Sequence, residues 1–193
     1  MNPNPSIIDK AQSNNLQVFG NTTGSTTQIK FAGTNSIYFD GTGDYLRASR
    51  NSPIIENGDF TVECWLNSSD VTSSSYRCIC SQGSSGSAFR LFQRGGAIQV
   101  WTGSTQRINY NANLIAGTWY HIAVVAAGSN LNLYINGSLG ISIGIVTFSE
   151  ITSIDIGGND NGSVLGYMTD FRISNGLARY TANFTPPTAL LEG

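Results

Sequence analysis

Apolar residues recur along this chain mostly at every second position, in short runs separated by glycine, serine and asparagine. That is the spacing of half-buried strands, not of helices. The clearest stretch covers residues 117–143, GTWYHIAVVAAGSNLNLYINGSLGISI. It holds one run over 119–126, a second over 131–135, an Asn136-Gly137 pair and a third run over 139–143. Asn-Gly between apolar runs signals a type I′ hairpin, because both central residues need positive φ and these two types tolerate it best. A two-residue turn puts Ile135 opposite Ser138 and Tyr134 opposite Leu139. Leu131, Leu133 and Ile135 then share one face, and Tyr134, Leu139 and Ile141 the other. With apolar groups on both faces, this meander belongs in a sandwich.

The same reading extends along the chain. Weak strand patterns cover 16–19 and 28–31, and SIYFDGTGDYL at 36–46 reads as strand, glycine turn and strand. DFTVECWL at 59–66 alternates Phe60, Val62, Cys64 and Leu66, the core set, against Thr61, Glu63 and Trp65. Further strands are predicted at 76–80, at 89–93 and 97–101 joined by Gly95-Gly96, at 151–156 and at 165–173. Short strands every 8 to 12 residues or so make the chain all-β, a two-sheet sandwich or jelly roll, with no helix beyond a turn near 175–180. The first residues, with Pro3 and Pro5, read as an arm.

Length and composition narrow the partners. A chain of 193 residues buries about 70% of its unfolded surface, so it needs no metal or disulfide staple and has room for one or two domains. Charged residues are only 11%, and glycine fills 22 positions, which favours turns and strands. The net charge is −2 and the basic residues are scattered, so there is no footprint for a phosphate backbone, and nucleic acid is excluded as a partner. No apolar run approaches the roughly 18 residues of a membrane span, and MNPNPSIIDK has no basic region ahead of an apolar core. A soluble chain without a standard secretion signal or membrane insertion is expected. The Asn-x-Ser/Thr sites at Asn21, Asn67, Asn136, Asn161 and Asn183 then read as loop composition.

Cys78 and Cys80, two apart in one strand, are expected on the same face and badly placed to bridge, while Cys64 on another strand is within reach of either. Free, buried thiols are the expectation. Three thiols without a CxxC pair, and a single distant histidine, do not make a zinc site.

Six motifs in order carry a family resemblance: FDGTGDYL at 39–46, DFTVECWL at 59–66, GTWYHIAVV at 117–125, LYING at 133–137, IGG at 156–158 and GYMTDFRISNGLARYTANFTPP at 166–187. Together they resemble the concanavalin A-like, laminin G type jelly-roll module, in the version common in bacteriophage structural proteins, where an ending similar to RYTANFTPPT is frequent. The resemblance covers about residues 8–190. It implies an antiparallel two-sheet jelly-roll sandwich, with an arm at 1–7 and one domain at 8–193.

Chemistry is sparse. A glycosidase needs two carboxylates about 5 to 10 Å apart, and the ExDxxE strand of laminarinase-like enzymes of this fold is absent; Glu63 is the only strand glutamate among apolar neighbours. His121 lacks a nucleophile partner, resembles the family's WxH histidine and is expected to be a hydrogen-bonded scaffold residue. Some relatives hold calcium, which takes six to eight or so oxygen ligands; the resemblance points to Asp40, Asp44 and Asp170, against which stands the reading that these carboxylates make turn and loop bonds. No other cofactor is implied. Sugar binding would use exposed aromatics with polar neighbours, for which Trp101, Arg107, Asn109 and Tyr110 are the candidates, with Trp65 a further platform.

The sequence therefore predicts a non-enzymatic virion structural protein, made in the host bacterial cytoplasm: a capsid decoration protein or a tail or fibre component. Its partners would be other virion proteins or copies of itself in a homo-oligomer. The alternative is a glycan-binding adhesion module that recognises host-surface carbohydrate.

Overall fold

A computed structural model describes residues 7, 14–83 and 86–191. The strands are β1 (Asn15–Phe19), β2 (Thr23–Ser25), β3 (Ser36–Asp40), β4 (Tyr45–Ser49), β5 (Phe60–Ser68), β6 (Tyr76–Ser81), β7 (Phe89–Arg94), β8 (Ala97–Thr102), β9 (Thr105–Asn111), β10 (Trp119–Ala127), β11 (Asn130–Ile135), β12 (Ser138–Gly144), β13 (Ser153–Ile156) and β14 (Leu165–Asn175). No helix occurs among the described residues, so none is long and apolar enough to cross a membrane. Sheet I has the order β1-β4-β13-β6-β7-β8-β9 and sheet II the order β12-β11-β10-β5-β14-β3-β2. This is the expected all-β, two-sheet antiparallel jelly-roll sandwich. The glycine turn at 41–43 does not close a hairpin; it carries the chain from sheet II into sheet I.

Strand period two builds the core. Phe60, Val62, Cys64 and Leu66 of β5, with Ile122 and Val124 of β10, meet Phe89 and Leu91 of β7 and Ile98 and Val100 of β8. Phe60, Phe89 and Phe148 pack edge to face with centroids 5.2 to 6.1 Å apart. Each large side chain so buried contributes roughly 1.5–3 kcal/mol of transfer free energy. Ile7, the one described residue of the expected arm, is buried in this core; the rest of that arm lies outside the described residues.

Three expectations about parity and strands are corrected. The Asn136-Gly137 hairpin pairs Ile135 with Ser138 and Tyr134 with Leu139 as predicted, but a bulge then sets Ile141 opposite Leu133. One extra residue reverses the alternation, so Ile141 and Ile143 pack on the core while Leu139 stays outside. Gly140 occupies the bulge, where an added Cβ would come within 2.8 Å of the Tyr110 ring. A second bulge, in β6, pairs Cys78 with Phe92 and Cys80 with Leu91, so these thiols face opposite sides of sheet I, not the same one. Residues 28–31 form no strand: Phe31 instead turns inward and meets the Trp65 ring edge-on at 6.2 Å.

Cys64, Cys78 and Cys80 are free and buried, and burial pushes all three thiols well up from their ordinary range. A thiolate is the reactive form. Native protein is expected to resist alkylation, and denatured protein to take three labels without a reductant; rapid labelling of the folded chain would contradict this packing.

Candidate functional site

The two sheets treat their outer faces differently. On sheet II, Thr61, Glu63, Trp65 and Asn67 alternate out of the core, yet all are buried, because the chain beyond β14 folds back across them. Tyr180 and Phe184 of this tail stack on one another at 3.5 Å, lie over Ala123, Val125 and Tyr134 and meet His121 edge-on at 6.2 and 5.7 Å. The Phe184 amide donates to the Gly137 carbonyl at 2.9 Å. Thr61 Oγ1 donates to the Leu177 carbonyl and accepts from the Arg179 amide, both at 3.0 Å.

Beneath this cover lies Glu63, which has no exposed surface. Its Oε1 accepts Arg172 Nε and Nη2 at 2.9 and 2.7 Å. Its Oε2 accepts the Tyr180 hydroxyl at 2.8 Å and lies 3.1 Å from His121 Nε2; a carboxylate only accepts, so Nε2 carries the hydrogen. Burial is the largest influence on this carboxyl and acts to raise its pKa, but the donors from His121, Tyr180 and Arg172 together hold it below the ordinary value. Burial first, and then Glu63, push the Tyr180 hydroxyl up to about 12. A carboxylate so enclosed offers a substrate nothing. His121 is therefore the hydrogen-bonded scaffold residue that its sequence position implies.

Sheet I is open. Arg90, Phe92 and Arg94 alternate with the core residues of β7, and opposite them stand Trp101 and Gln99 of β8 and Tyr76 of β6. Phe92 and Arg90 are buried, under Tyr76 and Trp101, whose rings meet at 5.9 Å. The Arg90 guanidinium lies 4.9 Å from the Phe92 centroid and 6.0 Å from that of Trp101. Arg94 lies 4.9 Å from Tyr76. Arg90 is held by Asp160, through Nε to Oδ2 at 2.6 Å and Nη2 to Oδ1 at 2.9 Å. Further along the sheet, Arg47 grips Asp155 in the same two-pronged way at 2.6 and 2.9 Å beside the stacked pair Phe19 and Tyr45.

Three of the four glycan candidates come together here. Trp101 is half-buried, and its Nε1 donates to Gln99 Oε1 at 3.1 Å. Gln99 Nε2 in turn donates to Asn109 Oδ1 at 3.2 Å, and Arg107 Nε to Thr102 Oγ1 at 2.7 Å. The indole is thus fixed, with exposed Asn109 linked to it through Gln99, while Arg107 and Arg94 are exposed on the neighbouring strands. Tyr110 does not join them: it pairs with Ile98 and packs against the core under Gly140. Trp65, the further platform, is buried on sheet II. Gln99, Tyr76 and the β7 arginines are site residues that the sequence reading omits, although period two over FRLFQR already puts Arg90, Phe92 and Arg94 on one face.

The calcium candidates are engaged with backbone amides. Asp44 accepts the Asn21 and Asp40 amides, each at 2.8 Å, Asp40 accepts the Thr42 amide at 2.8 Å, and Asp170 accepts the Leu191 amide at 3.1 Å. These are turn and loop bonds, and among the described residues no three His, Cys, Asp or Glu side chains gather to hold a metal.

A laminin G type family model, described as the concanavalin A-like lectin/glucanases superfamily, matches residues 40–179. No curated protein matches the chain. Similar solved structures include the receptor binding domain of botulinum neurotoxin D, at 19% identity over 88% of this chain and 45% of that one with a TM-score of 0.66. The type G receptor binding domain is 15% identical over 89% and 44%, TM-score 0.61. The binding domain of neurotoxin DC in complex with SialylT is 14% identical over 83% and 42%, TM-score 0.62. The chain thus spans less than half of each of these neighbours, which share its fold.

The Glu63 cluster sets a pH dependence. Its pKa is lower folded than unfolded, so the stability it contributes is complete above the unfolded value of about 4.3 and drains as pH falls through the folded one. Glu63→Gln is expected to cost roughly 1–3 kcal/mol and Tyr180→Phe about 0.5–1.5 kcal/mol in urea unfolding at neutral pH. The gap between wild type and Glu63→Gln should close below about pH 4; a gap that persists unchanged in acid would refute the ionised cluster.

Proposed function

Because the chain belongs to the concanavalin A-like lectin/glucanases superfamily and leaves one aromatic face open, we propose that it is a non-catalytic recognition module that binds carbohydrate on the outer face of sheet I. The observation that carries this reading is the partly exposed Trp101 indole, held by Gln99 and Tyr76, with Asn109 linked through Gln99 and Arg107 and Arg94 exposed on the flanking strands. The C–H face of a pyranose stacks on an indole, while amide and guanidinium groups pair with its hydroxyls. Such a shallow site is worth about −4 kcal/mol, a Kd near 1 mM, so it serves adhesion only in many copies. Receptor binding and the SialylT complex named for the neurotoxin domains support a sugar as the ligand class.

The carboxylates of this face support binding without turnover. Asp155 and Asp160 each already accept two guanidinium N–H groups, so neither is offered to a glycosidic oxygen, and Glu63 is sealed under the tail.

A second reading concerns where the module sits. The 179–188 ending resembles that of phage structural modules, and in this fold Tyr180 and Phe184 of the same segment cover sheet II. A virion component present in many copies, made in a bacterial cytoplasm, would supply the multivalency that a weak site needs. Deleting residues 1–6 is then expected to weaken assembly onto particles while leaving the sandwich folded; normal incorporation of the truncated protein would count against the arm as the attachment point.

For the sugar site, a multivalent form of the protein screened on a glycan array should give a saturable signal. Trp101→Ala should remove at least about 1.4 kcal/mol of it, a tenfold loss, with the thermal midpoint unchanged. Binding that survives this substitution would move the site elsewhere.

A further inference from the structure

On the outer side of sheet II, where the tail contributes residues 185–188, lies a cavity of about 470 Å³. Its lining includes Phe31, Trp65, Trp119 and Pro187 as apolar walls, and Lys30 and Asn136 as polar groups. Its size is that of pockets that hold small ligands. None of its residues belongs to the Trp101 face.

Trp65 is only 5% exposed, and its Nε1, like that of Trp119, is shut from solvent with no acceptor among the described residues. The Lys30 ammonium lies 3.8 Å from the Trp65 ring centroid, and no carboxylate among the described residues pairs with it. Asn136 spends its Oδ1 on the His121 amide at 2.8 Å, which leaves its NH2 group to face a ligand. The ammonium and the amide NH2 group are donors, and the Thr185 and Thr188 hydroxyls of the same lining can donate or accept. The complement of the unpaired ammonium is a negatively charged acceptor, attached to a ring that can lie against indole and proline and offer hydroxyls to the threonines.

We infer that this pocket binds an acidic sugar, its ring against Trp119 and Pro187 and its carboxylate on Lys30. The sugar rests on the carbohydrate reading above; the preference for an anion rests on this pocket alone.

The three tryptophans, Trp65, Trp101 and Trp119, give the test. In a ¹⁵N-labelled protein their indole N–H signals are followed during titration with glucuronate, glucose and benzoate, in wild type, Lys30→Met and Trp101→Ala. Glucuronate is expected to shift the Trp65 and Trp119 signals and leave that of Trp101 in place, with glucose at least tenfold weaker. Lys30→Met should abolish that preference, and Trp101→Ala should leave it intact, so that loss of the sheet I site and loss of this one are read separately. Equal affinity for glucose, unchanged glucuronate binding in Lys30→Met, or shifts confined to Trp101 would each overturn the proposal. Benzoate binding as tightly as glucuronate would overturn the sugar.

Discussion

Burying a carboxylate is costly unless every lone pair finds a donor, and this chain buries Glu63 completely at the centre of one sheet. Its donors come from three separate places: His121 on β10, Arg172 on β14 and Tyr180 in the tail. The charge is tolerated only when β10 and β14 flank β5 in one register and the tail lies across all three. Sheet order, register and tail docking are thereby coupled into one condition. The aromatic pair Tyr180 and Phe184 adds apolar cover to the same place, which removes the water that would otherwise weaken these bonds.

That seal divides the molecule. One outer face is closed by the chain itself, so the proposed recognition falls to the other. Sheet I shows the corresponding pattern of side chains fixed by neighbours yet reachable: Arg90 is held by Asp160 with side chains only 6% and 13% exposed, whereas Trp101, Arg94 and Asn109 reach solvent. Anchoring the inner members of the face leaves the outer ones with little freedom to lose on binding, which is how a shallow site retains useful affinity. The Arg47–Asp155 pair, with the arginine side chain 36% exposed, is a surface contact worth about 0–1 kcal/mol and adds little to the fold.

Most of this fold can be read from alternation alone. The core set of β5, the Asn136-Gly137 hairpin and the Gly95-Gly96 hairpin all lie where the pattern puts them. Reading fails at the bulges in β6 and β12, because one inserted residue reverses parity without changing composition. Only Gly140 hints at it. β9 is hard to see because Ile108 is its one fully buried residue. The site is half legible: Asn109 and Tyr110 are adjacent, so period two by itself separates them, and β7 displays its arginines openly. The Glu63 cluster is not legible, since Glu63 and His121 are 58 positions apart and meet only diagonally, once Glu63 pairs with Ala123 and His121 with Trp65. Family membership supplies the fold here and leaves the ligand to be found from the side chains.

The account stands on recognition by the open face of sheet I. Its most direct test is a map of backbone amide shifts during titration with neutral oligosaccharide fragments of a bacterial surface polysaccharide. Shifts confined to β6, β7, β8 and β9 are the predicted result. Shifts centred on β5, β10 or the tail, with sheet I silent, would contradict it.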